Sequence, residues 1–429
     1  MAKLLFKNGS IVYEDNPRPQ RKDILIEDDR IIGVENKFEP DKSTIIYNCK
    51  DKIILPGLFD MHTHLREPGR EDEETIETGT EAAINSGITA IVCMPNTDPA
   101  IDTGSVVTFV KSLSKERSRI PVYIAGCITQ NRNGENFAEI GDMADKGIVM
   151  ITDDGNPVSN PLMLRRAMEY SKNFNIIVSC HCEVKELSEG GVITEGETAI
   201  KLGLPGIPQA SEEICIERDL RLAELTRARV HIQHISTACS LDIIKRYKER
   251  GVNVTCEVTP HHLIFSEKDI EDYDTNFKMN PPLRRVEDNR KLLDGLKNGY
   301  IDCIATDHAP HTIFEKNQDF INAPFGIIGL DIALVSIYNY LIKPKKINWN
   351  VILKTFSINP RKILGIDKIE IKKGSSAEFI VFNPKTKIKI NKEFLKSKSC
   401  NTPFLNKELE GCVEKVVYKG KILLDRERL

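Results

Sequence analysis

The sequence predicts an α/β fold: a TIM-type (β/α)8 barrel with a small β-sandwich domain formed by the N- and C-terminal segments. Three observations carry this. Apolar strand-like segments alternate with helix-like ones through the middle of the chain, and repeated βα units build a parallel sheet because each crossover returns the chain in the same direction. Eight such strands can be counted, the number that closes a barrel. The two ends instead alternate apolar and polar residues between turn signals, as antiparallel strands do.

In order, the first apolar strand runs from Ile53 to His62, followed by a helical pattern from Glu73 to Asn85 that Gly87 closes. Further strands are expected at Ile88 to Met94, Pro121 to Cys127, Ile148 to Thr152, Asn175 to His181, Arg229 to Ile235, Val252 to Val258 and Ile301 to Thr306. Helical stretches at Ser105 to Ser114, Pro161 to Lys172, Ser211 to Arg227 and Ser240 to Arg250 separate several of them. Turn signals such as Lys7-Asn8-Gly9 and Glu27-Asp28-Asp29 break up the N-terminal strands, and Ala377 to Asn383 and Val413 to Leu424 repeat the pattern at the other end. The expected division is a discontinuous β domain at 1–54 and 370–429 flanking a catalytic barrel at 55–369.

At 429 residues and a net charge of -3, with both signs interspersed, the chain offers no basic tract for nucleic acid. The N-terminus has too short an apolar run for a signal peptide, and no apolar run is long enough to cross a bilayer. The 11 cysteines are scattered, without a CxxC pair, which fits reduced thiols in the cytoplasm better than a disulfide framework.

Functional residues of a βα barrel sit at the C-terminal ends of its strands. There the sequence places His62 and His64, Asp153-Asp154, His181 flanked by Cys180 and Cys182, His234, and Asp307. A lone histidine at a strand end is more often a satisfied polar residue than a ligand. Four of them converging with carboxylates on one mouth are not explained that way. One of Asp153 and Asp154 must cap or brace, and spacing does not say which. Cys182 reads as apolar filler with a thiolate alternative, and His231 as structural. Of His261 and His262, one reads as supporting the site and the other as packing. Imidazoles and carboxylates together suit zinc. The ligand count exceeds one open four-coordinate site, so two ions bridged by a carboxylate and a hydroxide would use it, the hydroxide being available near neutral pH. The long polar segment from His311 to Pro324 has the character of a lid.

The run Asp60-Met61-His62-Thr63-His64-Leu65-Arg66-Glu67-Pro68-Gly69 resembles class I dihydroorotase of the amidohydrolase superfamily. So do Met94-Pro95-Asn96-Thr97, Thr152-Asp153-Asp154-Gly155, His234-Ile235-Ser236-Thr237 and Ala305-Thr306-Asp307-His308-Ala309-Pro310-His311. The resemblance implies reversible cyclisation of N-carbamoyl-L-aspartate to dihydroorotate in pyrimidine synthesis. It implies a first zinc on His62, His64 and Asp307, a second on His181 and His234, and Asp154 as the bridge where many relatives carry a carboxylated lysine. Asp307 would also be the catalytic acid–base. Arg66, Asn96 and His311 match contacts to the substrate carboxylate, with His64 beside them; Asn280 and the Phe325-Gly326 backbone match ring contacts. Two rivals are weighed. One is a sister cyclic amidase (hydantoinase or allantoinase), which Arg66 and Asp154 disfavour. The other is an inactive subunit scaffolding aspartate transcarbamoylase, disfavoured because no ligand is missing. A homodimer and a transcarbamoylase complex both stay open as assemblies.

Overall fold

The computed structural model describes residues 3–427; the outermost positions of the expected terminal domain, 1–2 and 428–429, lie outside them. Eight parallel strands follow one another around a barrel: Leu58–Thr63, Ile88–Cys93, Val122–Gly126, Met150–Ile151, Ile177–Cys180, Val230–Ile232, Val254–Val258 and Cys303–Ile304. Each is hydrogen-bonded to its sequence neighbour, so the order is sequential. The eighth meets the first through a parallel bridge between His308 and Thr63. The buried Asp60 reinforces that seam, accepting from the His62 and Thr306 amides at 3.1 Å each. Burial pushes its carboxyl up to about 7.

The strands are short and apolar because both faces are covered. Outward residues such as Leu58, Ile91 and Val230 pack under the helices. A second cluster (Phe59, Met61, Val92, Ala125, Met150, Ile177 and Cys303 among its members) draws on six of the eight strands and fills the barrel interior. Several helices start where side chains cap them. Thr75 caps Ile76–Asn85, Thr103 caps Gly104–Arg117, and Thr237 caps Ala238–Glu249.

The chain ends build a separate eight-stranded sheet from Leu4–Tyr13, Asn16–Glu27, Arg30–Glu35, Ile45–Asn48, Ile53–Pro56, Phe379–Lys389, Glu408–Tyr418 and Lys421–Asp425. It encloses a core of its own around Phe6, Ile24, Ile54, Phe379 and Val417. Most ladders are antiparallel, as expected; Leu4–Tyr13 additionally pairs in parallel with Ile45–Asn48 and Ile53–Pro56.

One strand differs from expectation. The run from Ile53 to His62 is two strands in two sheets, Ile53–Pro56 in the terminal sheet and Leu58–Thr63 in the barrel. Gly57 is the joint. A Cβ there would lie 2.1 Å from the Thr89 hydroxyl, so only glycine lets the two sheets meet this closely. The first helix also begins at Ile76 rather than Glu73, which frees Glu73 and Glu74 for other work.

Candidate active site and metal centre

The expected residues meet at the C-terminal mouth of the barrel. His62 Nε2 lies 3.4 Å from Asp154 Oδ1 and 3.4 Å from Asp307 Oδ1. His64 Nε2 lies 3.0 Å from Asp307 Oδ1 and 3.4 Å from Asp154 Oδ2. On the other side, His181 Nδ1 and His234 Nε2 approach to 2.9 Å and stand 3.7 and 3.8 Å from Asp154 Oδ1. Asp154 thus faces all four imidazoles. Asp153 turns away, its Oδ1 accepting from the amides of Ile128 at 2.8 Å and Thr129 at 3.0 Å. That resolves the pair into a brace (Asp153) and a group in the cluster (Asp154).

The backbone is bent to aim these side chains. The first ladder slips between Asp60 and Thr63, releasing His62 from strict alternation. His234 and Asp307 adopt positive φ, 28° and 48°, conformations that persist in non-glycine residues only where surroundings over-determine them. After His234, Glu212 accepts from the Ser236 amide at 2.9 Å, which fixes the turn into the next helix.

The donor set fits a metal. His62 Nε2 and Asp154 Oδ1 are buried without a hydrogen-bond partner, both pointed into the cluster; such orphans are rare unless something else satisfies them. His62, His64 and Asp307 offer one group of donor atoms within 4.8 Å of one another, and His62, Asp154 and His234 another. The electrostatics ask for positive charge. Burial disfavours a charged His62, yet Asp154, Glu257 and Asp307 outweigh it and hold the ring well above its ordinary range. Burial likewise opposes His181, but Asp154 and Glu183 raise it to about 10. Despite burial, His62, His181 and His234 keep Asp154, and His62, His64 and His234 keep Asp307, below the usual carboxylate range. A bound cation would take over from those protons.

A cavity of about 250 Å³ opens beside the cluster. It is lined by His64, Arg66, Asn96, Asn280, His311, Phe325 and Gly326, every residue expected to touch substrate, together with Asp154, His181, His234 and Asp307. His62 lies beneath, buried. Asn96 has a further task, its Oδ1 sitting 2.8 Å from His64 Nδ1. His311 is tied at both ring nitrogens, to Glu73 Oε1 at 2.9 Å and the Phe325 carbonyl at 2.8 Å.

Other candidates separate from the centre. The Cys182 thiol points to Asp219 Oδ2, 3.6 Å away. His262 bonds Thr259 and the Pro281 carbonyl, while His261 Nε2 is buried without a partner. Two carboxylates were missed from the sequence. Glu257 sits 2.6 Å from His62 Nδ1 and 3.1 Å from His231 Nε2, which leaves His62 Nε2 for the cluster. Carboxylates that hold the far nitrogen of a ligating histidine orient it and raise its basicity. Its signal was a lone charge inside the apolar strand Val254–Val258. Glu73 is the other, 2.9 Å from Arg66 Nε.

Four imidazoles and two carboxylates at the mouth of a (β/α)8 barrel make a site equipped for metal-assisted hydrolysis. The solved structures agree in fold. An L-hydantoinase from Arthrobacter aurescens superposes with a TM-score of 0.87 at 22% identity, over 99% of this chain and 97% of that one. A dihydropyrimidinase from Brevibacillus agri gives 0.85 at 21%, over 99% and 95%. Sequence divides the class further. A Dihydro-orotase-like family model matches residues 51–240. The curated dihydroorotase of Caldanaerobacter subterraneus subsp. tengcongensis is 41% identical over 99% of this chain and 98% of its own length. That of Carboxydothermus hydrogenoformans is 42% identical over the same shares. The chain belongs to the dihydroorotase family.

Proposed function

We propose that this chain is an active dihydroorotase, interconverting N-carbamoyl-L-aspartate and (S)-dihydroorotate. The observation that carries the reading is a guanidinium, Arg66, in the same cavity as the Asp154 cluster. A cation built for bidentate carboxylate contact suits an acidic substrate, whereas hydantoin and allantoin present no carboxylate there.

We assign one metal to His62, His64 and Asp307, a second to His181 and His234, with Asp154 shared, and zinc as the ion these donors suit. When bound, such ions make a water nucleophilic near neutral pH and polarise the amide carbonyl. The protein residues do the rest. Asp307, held ionised by the imidazoles around it despite its burial, takes the proton of the attacking water and delivers it to the amide nitrogen that departs on ring opening. In the direction of cyclisation it accepts that proton from the carbamoyl nitrogen. Arg66, Asn96 and His311 orient the carboxylate, His64 borders it, and Asn280 with the Phe325-Gly326 backbone seats the ring. Glu257 keeps His62 in the tautomer that points Nε2 at the cluster.

We assign catalysis to a domain at 55–369 and a supporting role to 1–54 with 370–429. Among the described residues no helix is long and apolar enough to cross a membrane, and the eleven cysteines are unpaired, which supports a reducing, cytoplasmic setting. A homodimer and a complex with aspartate transcarbamoylase are the assemblies to test, by light scattering of the chain alone and mixed with a transcarbamoylase.

The deciding assay gives metal-quantified protein dihydroorotate, hydantoin and allantoin in parallel, and repeats it with His64→Ala and Asp307→Asn. Turnover of dihydroorotate alone is expected, with kcat falling about 10²–10⁴-fold in Asp307→Asn. Faster turnover of hydantoin would transfer the chain to the sister amidases. No turnover by zinc-loaded protein would make it a scaffold.

A further inference from the structure

Glu73 is 2% exposed and lies in the turn just before the helix Ile76–Asn85. Its two oxygens go to different parts of the cavity wall. Oε2 sits 2.9 Å from Arg66 Nε, on the loop after the first barrel strand. Oε1 sits 2.9 Å from His311 Nδ1, on the loop after the eighth. Arg70 adds a third contact at 3.2 Å. The backbone of Glu73 is pinned in turn, its carbonyl accepting from the Ser399 hydroxyl at 2.7 Å.

We propose that Glu73 is a positioning residue: one buried carboxylate presets the anion grip, holding Arg66 by one oxygen and His311 by the other, and so sets the preference for an acidic substrate. This rests on the reading of Arg66 as the group that meets the substrate carboxylate.

Three observations support it. Arg66 makes its contacts through Nε, to Glu73 and to the Pro310 carbonyl at 3.3 Å. Its terminal nitrogens, the pair that forms a fork, carry no bond among the described residues. Arg66 also stands at φ 60°, outside the comfortable range of a residue with a Cβ, and such a conformation needs a partner to hold it. Finally, a mere counter-ion for a buried arginine would need no second partner. Glu73 bridges two loops, and through His311 reaches the Phe325 carbonyl at 2.8 Å, linking the carboxylate side of the cavity to its ring side. A side chain fixed before binding loses less freedom on gripping its ligand.

The test compares E73Q, R66M and the double variant, each with metal content measured. Glutamine keeps the size but cannot accept from both partners. E73Q is expected to raise KM for dihydroorotate about tenfold, with kcat within about twofold and metal content unchanged. In the R66M background the same change should move KM less than it does alone, because one of the two groups it acts through is already removed and only His311 remains. Equal KM effects in both backgrounds, or a fall in kcat or metal content with KM unchanged, would overturn the proposal. If E73Q does not fold, the comparison is read in E73D, which keeps the charge and shortens the reach; an unchanged KM there also overturns it. R66M alone separates the two readings: an unchanged KM in R66M rejects the anion grip itself, whereas a raised KM in R66M with none in E73Q rejects only the role of Glu73.

Discussion

The floor and the rim of the cavity are built differently. On the floor, His62, Asp154, His181, His234 and Asp307 stand at or just beyond the ends of barrel strands, where the local backbone, bent at His234 and Asp307, aims each side chain. On the rim, Arg66, Asn280, His311 and Phe325 ride on loops, and two of them are fixed by bonds made across more than 200 residues of sequence, Arg66 to the Pro310 carbonyl and His311 to Glu73. Both halves rest on a buried carboxylate, Glu257 below and Glu73 above. Disturbing the floor should therefore show in metal retention, and disturbing the rim in KM.

The largest effect that tests this division is at Glu257. Glu257→Gln keeps the volume but weakens the hold on His62 and His231. Metal affinity should fall about 10–100-fold, the usual cost of losing a carboxylate behind a ligating histidine. Chelator competition measures it directly. With metal in excess, KM for dihydroorotate should stay near that of the parent protein. A raised KM with undiminished metal affinity would place Glu257 on the wrong side of the division.

This contrast also governs how much could be read before any coordinates. The barrel was legible because its strands repeat with a period, and the floor because functional residues of barrels cluster at strand ends. The Asp153-Asp154 choice was not legible, since neighbours differ only in which way the chain turns, and the amides of Ile128 and Thr129 decide that. Glu73 was absorbed into a helix pattern that in fact starts at Ile76. The over-long first strand has the same origin: apolar periodicity carries straight through Gly57, although the sheet changes there. Glu257 left a signal, a charge in the middle of a strand buried on both faces, and such a residue needs a partner of opposite character.

The next effect is a pH dependence confined to the floor. In metal-free protein the His181 ring is raised from 6.5 to about 10, burial opposing and the carboxylates of Asp154 and Glu183 prevailing. A raised folded pKa contributes stability that is full below the unfolded value of 6.5 and is lost as pH rises through about 10. In metal-loaded protein the ring nitrogen is engaged and that loss disappears. Thermal unfolding from pH 6.5 to 10 should show the chelated protein falling away from the loaded one, by on the order of a few degrees or more. Parallel curves would mean that His181 does not share its proton site with the metal.

The smallest effect is on the rim. We propose that the segment from His311 to Pro324 closes over substrate, and its tether is Lys316. That side chain is buried, and burial together with the charge of Lys278 pushes it down to about 7. Its ammonium nitrogen donates to the Pro324 carbonyl at 2.9 Å and the Gly326 carbonyl at 3.1 Å, so it holds the stretch that carries Phe325 and Gly326. Lys316→Met keeps the apolar stem and removes those donors. The loop retains its other ties, Thr275 to the Lys316 carbonyl at 2.5 Å and Arg70 to Glu315 at 2.7 Å. A hydrogen bond is worth about 1 kcal/mol net, so with the other ties limiting the loss to about one bond KM should rise only roughly fivefold. Metal content should not move, because Lys316 makes no contact with the floor. If metal content falls with KM, the loop and the cluster are one cooperative unit, and the division between floor and rim is a matter of position only, not of energetics.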